Sequence, residues 1–190
     1  MDNFAQLAAP HVPLPATMVA PVQTLAALWK TYNAEPIQLM RTREGRDLSR
    51  ERFRRAEEFM LSSASGDWFD TLYHSGIVAQ LALSSHLLDV GFPDAWCARH
   101  VGLHVARSLA YANATGFGHD CDRTARLAKV LTPYWKWNRR HLIDGSRPSD
   151  DGFTVTEVRA LLRALIDHVG EVTGHGLSPR RARRQRRLLM

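Results

Sequence analysis

Cysteine is scarce in this chain of 190 residues, and its two members, Cys97 and Cys121, stand apart in the sequence. They form no Cys-x-x-Cys pair, so the sequence provides neither a disulfide framework nor a paired-cysteine motif. The first residues also lack the positively charged start of a secretory signal. Both absences predict a cytoplasmic protein.

A long hydrophobic run is missing as well. The uncharged stretch from Thr71 to Leu88 has eighteen residues, which is just long enough for a membrane span. It contains two histidines, three serines and a glutamine, and these side chains would be costly in hydrocarbon. We therefore expect a buried helix here and no transmembrane segment.

The alternating pattern typical of strands is also absent. Apolar residues recur at every third or fourth position instead, which predicts helices. Near the C-terminus, Thr154 and Glu157 form a capping-box pattern at the start of the last helix. The predicted helices run from Pro21 to Pro36, Leu48 to Ser62, Phe69 to Val90 and Asp94 to Asn113, then from Asp122 and from Thr154. The expected fold is all-α, a single bundle of about five to seven helices.

Charge imbalance is confined to one end of the chain. The net charge of +6 comes from 25 Lys and Arg against 19 Asp and Glu, and the last thirteen residues hold six arginines and no acid. Without those six, 19 basic residues face 19 acidic ones. The six are Arg180, Arg181, Arg183, Arg184, Arg186 and Arg187. We therefore expect a flexible Ala/Pro-rich segment (1–20), a helical domain (21–176) and a disordered basic tail (177–190).

The basic tail has three interpretations. Its guanidinium groups can neutralise the phosphates of a nucleic acid. They can also dock on an acidic protein or an anionic membrane surface, or remain solvated without a partner. Arginine outnumbers lysine by 22 to three in the whole chain, so the tail alone does not decide among them.

A polar stripe crosses the predicted helix from Asp94 to Asn113. His100 and His104 are four residues apart, the spacing at which two imidazoles on one helix face can ligate one metal ion, and Cys97 lies one turn earlier. His74, on the neighbouring uncharged helix, is a further candidate ligand for zinc or iron. A hydrogen-bonded core network is the alternative explanation. Because no Ser/His/Asp order and no glycine-rich phosphate loop occur, the sequence favours a non-enzymatic protein without a cofactor.

Residues 134–141 interleave aromatic and basic side chains. Helical periodicity predicts that Trp135 faces the core, which leaves Trp137, Arg139 and Arg140 as candidates for contact with a partner. The alternative is that the same helix simply buries its aromatic face and solvates its basic one.

An aromatic-Asn-x-x-Pro element occurs at Tyr32, Asn33 and Pro36, within the segment Leu-Trp-Lys-Thr-Tyr-Asn-Ala-Glu-Pro at 28–36. This segment resembles the opening of the cytoplasmic sorting-platform accessory proteins of bacterial type III secretion systems. It covers nine of 190 residues and lacks the tryptophan that usually follows the proline. The resemblance implies a small helical assembly protein without catalysis, in contact with a ring component and other platform proteins.

These observations favour a non-enzymatic interaction or assembly protein, an accessory component of a secretion apparatus. Its bundle surface would bind the partner, an acidic protein or protein complex, and its basic tail would add electrostatic docking. Two alternatives stay open. One is a nucleic-acid-binding accessory protein that acts through the tail, and the other is a helix-bundle metal-dependent enzyme with His100 and His104 as ligands.

Overall fold

The computed structural model describes residues 23–62, 67–138 and 148–176. Within these ranges the chain forms seven α-helices and one 3₁₀ helix and no strand, so the predicted all-α fold is confirmed. In chain order the elements are α1 (Leu25–Thr31), α2 (Arg43–Ser62), α3 (Trp68–Val90), α4 (Asp94–His100), α5 (Val105–Ala114), α6 (Asp122–Val130), the 3₁₀ helix (Tyr134–Trp137) and α7 (Val155–Thr173). The predictions for segment 1–20, for the basic tail and for Arg139 and Arg140 lie outside the described residues.

The central helix, α3, is built on the long uncharged stretch. It packs against α2 and α7 along its length and also against α5 and the 3₁₀ helix. Leu72, Leu83 and Leu87 are at most 1% exposed, and burying each of these side chains stabilises the fold by about 2 kcal/mol. No helix in the described ranges is long and apolar enough to cross a membrane.

A glycine ends α3 and allows a close crossing. Gly91 adopts a φ of +109°, which favours glycine, and its N–H bonds back to the carbonyl of Leu88 at 3.2 Å. A Cβ atom at this position would lie 2.6 Å from the backbone of Met40. The segment that precedes α2 can therefore pass directly over the end of α3.

The start of α7 confirms the capping-box prediction. Thr154 Oγ1 accepts a hydrogen bond from the Glu157 N–H at 3.3 Å, and Glu157 Oε2 accepts one from the Thr154 N–H at 3.0 Å. The helix then buries Val158, Leu162 and Val169 against the core. Because all of these signals lie within a few residues of one another, the sequence alone locates this helix correctly.

Three predictions of helix boundaries change. The first helix spans Leu25–Thr31 and is shorter than the predicted Pro21 to Pro36. The second helix begins at Arg43, five residues before the predicted Leu48, because Thr42 Oγ1 accepts a hydrogen bond from the Gly45 N–H at 3.0 Å and so satisfies its first turn. The prediction of one helix from Asp94 to Asn113 is wrong. That segment breaks between α4 and α5, where the N–H groups of Val101 and Gly102 both bond to the Cys97 carbonyl at 2.9 Å and Gly102 adopts a φ of +58°.

Candidate functional site

The break between α4 and α5 separates the residues predicted to ligate a metal. His100 ends α4 and His104 precedes α5, so the shared helix face on which the metal prediction depended does not exist. Burial raises the pKa of the Cys97 thiol to about 12, which disfavours the thiolate that binds metals. His74 lies on α3 and donates from Nδ1 to the Asp70 carbonyl at 2.7 Å. No group of three or more His, Cys, Asp or Glu side chains in the described part of the chain is placed to hold a metal ion.

The same stretch instead contributes to an aromatic and cationic cluster around Arg107. The guanidinium carbon of Arg107 lies 4.5 Å from the centroid of the Tyr32 ring, and its Nη1 donates to the His100 carbonyl at 2.7 Å. The ring of Tyr111 is 5.9 Å from that of Tyr32 and 5.4 Å from that of Trp96. The α1, α4 and α5 helices therefore meet around a single arginine.

Four buried side-chain polar atoms in the described ranges have no hydrogen-bond partner; three belong to residues of this cluster, and the fourth belongs to Trp29, which lies one turn before Tyr32 on the same side of α1. They are Trp29 Nε1, His100 Nε2, Arg107 Nε and Tyr111 OH, and we call their residues the Arg107 site. The remaining buried side-chain polar atoms in the described ranges have partners, which is the normal condition of a folded protein. Four exceptions on three adjoining helices are a specific feature of this molecule.

A second polar cluster joins α2, α3 and the end of α7. The Ser49 hydroxyl donates to the Ser85 carbonyl at 2.7 Å and also lies 3.1 Å from the Ser85 hydroxyl. Its third neighbour is His175 Nε2, at 2.8 Å. Ser49 and Ser85 are completely buried. We call this group the His175 junction.

The His175 junction is structural in its hydrogen bonding. Because the Ser49 hydrogen points to the Ser85 carbonyl, the imidazole Nε2 of His175 must donate to the Ser49 oxygen. A histidine that activates a serine nucleophile does the opposite and accepts the hydroxyl proton. The pair therefore links helices and does not form a catalytic dyad.

The chain that leaves α7 is fixed against α2 by this junction. Gly174 ends the helix with a φ of +73°, and the Gly176 N–H bonds to the Gly170 carbonyl at 3.1 Å. A Cβ atom on Gly170 would lie 3.1 Å from Gly176 Cα and 3.0 Å from Cζ of Phe53 on α2. The last described residues thus lie directly on α2.

Four arginines share the neighbouring surface of α2 and the segment before it. Asp89 forms ion pairs with Arg41 at 3.7 Å and with Arg46 at 4.0 Å. Asp47 forms ion pairs with Arg43 at 4.0 Å and with Arg50 at 3.1 Å. The four arginine side chains are 61–97% exposed, and we call them the arginine face. Two carboxylates shared among four exposed guanidinium groups leave hydrogen-bonding capacity for a further acceptor.

The arginine face and the His175 junction are neighbours. Burial is the main cause that holds the pKa of His175 below its usual range; the carboxylate of Asp89 opposes this shift, and the charges of Arg50 and Arg46 reinforce it. The pKa of His175 therefore depends on charges on both α2 and α3. The end of the described chain and the arginine face belong to one surface.

Comparison with known proteins identifies no relative. The chain matches no family model, no curated protein and no solved structure.

The aromatic residues after α6 are placed differently from the prediction. Trp137 is 1% exposed, donates from Nε1 to the Val130 carbonyl at 3.0 Å and stacks on Phe69. It is a core residue, so this structure does not support its predicted contact with a partner. Trp135, which was predicted to face the core, is 41% exposed. The 3₁₀ turn that follows Pro133 rotates the two side chains away from their α-helical positions.

Three histidines surround the buried ring of Phe117. The ring centroids of His86 and His168 lie 4.8 Å and 4.6 Å from it, and that of His119 lies 5.8 Å away. His168 Nε2 donates to the Phe117 carbonyl at 2.6 Å. Burial lowers the pKa of His86 to about 4, so this imidazole stays neutral at physiological pH.

Sequence reasoning missed His175, Trp29 and Tyr32 as site residues. His175 stands between two glycines directly after a predicted helix end, which is a local signal for a turn with a specific role. Trp29 and Tyr32 were predicted as part of the first helix and of the segment 28–36 that resembles the secretion accessory proteins, and not as residues of a binding site. Their three-residue spacing places both on one side of α1, but nothing local indicates that Arg107 lies opposite.

Proposed function

We propose that this protein is a non-enzymatic, cytoplasmic adaptor that docks on an acidic protein surface through the arginine face and the basic tail. The observation that carries the proposal is the His175 junction, which holds the end of α7 against α2. Arg180 follows Gly176 by only four residues in the sequence. The two basic elements therefore act on the same partner surface.

Electrostatics gives this arrangement its expected properties. Six tail arginines without an acid attract a negatively charged surface at long range and accelerate association at low ionic strength. The arginine face then supplies guanidinium groups on a folded helix, beside Asp47 and Asp89, and such a charge pattern can orient the partner. We therefore expect binding that weakens with added salt and that depends on both elements.

A protein partner fits this surface better than a nucleic acid does. Glu44, Asp47 and Glu51 lie among the arginines of α2, and Asp89 lies beside them on α3. A phosphate backbone carries one sign of charge, so these carboxylates would repel it. A protein surface can offer acids to the arginines and bases to the carboxylates. Nucleic-acid binding is therefore the competing outcome of the test.

The proposal includes an assembly role in a type III secretion apparatus, supported by the resemblance at 28–36 and by the helical fold. Within that segment, Asn33 adopts a φ of +48° just after α1, a conformation that asparagine tolerates better than most residues. The carbonyl of Glu35 accepts a hydrogen bond from Trp96 Nε1 at 2.9 Å. The element thus works as a structural joint between α1 and α4, which leaves the arginine face as the contact surface.

The test measures binding of the full chain to a glutamate-rich peptide and to a short DNA duplex at equal ionic strength. One variant replaces the six tail arginines by glutamine, and another carries Arg46→Gln with Arg50→Gln. We expect each variant to weaken peptide binding and to lower its salt dependence. Arg163→Gln, on α7, is the matched control. Tighter binding to DNA than to peptide, or peptide binding that both variants leave unchanged, would refute the adaptor proposal.

The metalloenzyme alternative has its own measurement. Separation of His100 from His104 by a helix break gives it no geometric support. Elemental analysis of the purified full chain for zinc and iron tests it independently of any partner. One equivalent of metal that disappears in the His100→Ala variant would restore that alternative in place of the adaptor.

A further inference from the structure

Arg107 is a half-buried cation that packs against the ring of Tyr32. No Asp or Glu in the described ranges forms an ion pair with it, although many other arginines there have one. Its neighbours are an aromatic ring, at 4.5 Å, and a carbonyl group, at 2.7 Å. Withdrawing a guanidinium group from water costs free energy unless a negative charge or a full set of acceptors compensates. The site is therefore electrostatically incomplete.

All four unpartnered atoms of the Arg107 site can donate a hydrogen bond. Arg107 Nε and Trp29 Nε1 can only donate a hydrogen bond. Tyr111 OH can donate, and His100 Nε2 can donate in one of its tautomers. Donors beside a cation form their strongest hydrogen bonds with an acceptor that carries negative charge.

Tyr111 remains a donor at neutral pH. Burial raises the pKa of its phenol above the usual range; Arg107 opposes that shift, and Tyr32 adds to it. The side chain of Tyr111 is completely buried, so its hydroxyl cannot be satisfied by the bulk solvent. The rings of Trp96 and Tyr32 pack against the ring of Tyr111.

We propose that Trp29, His100, Arg107 and Tyr111 form a binding site for a small oxyanion, a carboxylate or a phosphate group. Arg107 supplies the charge, and the indole and phenol groups supply neutral donors. The aromatic walls exclude water, which strengthens each charge-assisted hydrogen bond. This site lies on α1, α4 and α5, apart from the arginine face, and its existence does not depend on the adaptor proposal.

The test is a titration of the full, isotope-labelled chain followed by the N–H signals of Trp29 Nε1 and Arg107 Nε. Sodium acetate and sodium phosphate are used in separate arms, and sodium chloride at equal ionic strength is the control. We expect saturable shifts of both signals with acetate or with phosphate, and the responding arm identifies the oxyanion. Because the signals belong to the site itself, binding of phosphate to the tail arginines does not imitate the result.

Variants separate a ligand site from a packing defect. Tyr111→Phe deletes only the hydroxyl group and should weaken anion binding roughly tenfold or more, because one hydrogen bond to a charged ligand is lost. Trp29→Phe should do the same, whereas Arg163→Gln should bind like the parent protein. Shifts that grow linearly with any salt, or a Tyr111→Phe variant with unchanged affinity, would overturn the proposal.

Discussion

The two polar clusters of this bundle differ in how completely their hydrogen bonds are satisfied. At the His175 junction, one buried hydroxyl contacts a carbonyl, a second hydroxyl and an imidazole within 3.1 Å. At the Arg107 site, four buried polar atoms have no partner. A network in which every hydrogen bond is made fixes the chain in one geometry. A buried polar group without a partner destabilises the fold instead, and a ligand that bonds to it removes this penalty.

The helices around each cluster explain part of this difference. The His175 junction connects α2, α3 and α7, which have 20, 23 and 19 residues and hold their side chains through long packed faces. The Arg107 site is built on α1 and α4, which have seven residues each, and on the start of α5 after a break. Short helices depend on tertiary contacts for their stability, so a bound ion can stabilise their arrangement.

Acid should have the largest effect on stability, because it protonates the buried His86 of α3. His86 has a pKa of about 4 in the folded chain against an ordinary 6.5, chiefly through burial; Asp89 opposes the shift, and His168 and Arg41 add to it. Between these values the unfolded chain binds a proton that the folded chain rejects. Stability is therefore full above pH 6.5 and falls with acid, by about 2 kcal/mol near pH 5 and about 3 kcal/mol in full.

Urea unfolding as a function of pH measures this effect. Because His175 and His104 also have pKa values below their usual range, largely through burial, the wild-type curve alone does not isolate His86. The difference between the wild-type curve and the curve of His86→Gln isolates the contribution of His86. Parallel curves for the two proteins would show that His86 carries no part of the acid sensitivity.

Deleting the Ser49 hydroxyl should have the next largest effect. The Ser49→Ala change leaves His175 Nε2 and the Ser85 hydroxyl without their partner in a buried place, at a cost of about 1–3 kcal/mol in the free energy of unfolding. Ser84→Ala is the control, because that half-buried hydroxyl bonds only to the Leu81 carbonyl one turn away. Equal losses in the two variants would argue against a special role for the junction.

The sequence predicted the parts of this fold that are coded locally. The cap of α7 depends on Thr154 and Glu157, which are neighbours in the chain, and it was placed correctly. The break after α4 was missed because a single glycine, Gly102, was outweighed by the apolar periodicity on either side. The His175 junction was beyond local reasoning, since Ser49 and His175 are 126 positions apart.

A larger side chain at Gly170, near the end of α7, tests whether the His175 junction contributes to peptide binding. In Gly170→Ala the new Cβ would come within 3.2 Å of Gly176 and within 3.0 Å of Phe53, so the last described turn must move. We expect a stability loss of about 1 kcal/mol, because the Phe53 ring can yield, together with weaker binding to a glutamate-rich peptide. Gly116→Ala, which strains a positive φ without crowding a neighbour, is the control for a stability loss away from the junction. Equal peptide affinity in the two variants would show that the His175 junction does not influence docking.

The smallest expected change in stability is that of Tyr111→Phe, and its sign is opposite to that of Ser49→Ala. It therefore tests directly whether the Arg107 site differs from the His175 junction. Tyr111→Phe removes a hydroxyl that has no partner, so in a buffer free of carboxylate and phosphate it should leave stability unchanged or raise it by up to about 1 kcal/mol. Urea unfolding of Tyr111→Phe and Ser49→Ala under the same conditions gives the sign of the stability change in each variant. A loss above about 1 kcal/mol in Tyr111→Phe would mean that this hydroxyl is already bonded within the protein, and the Arg107 site would then be a core network like the His175 junction.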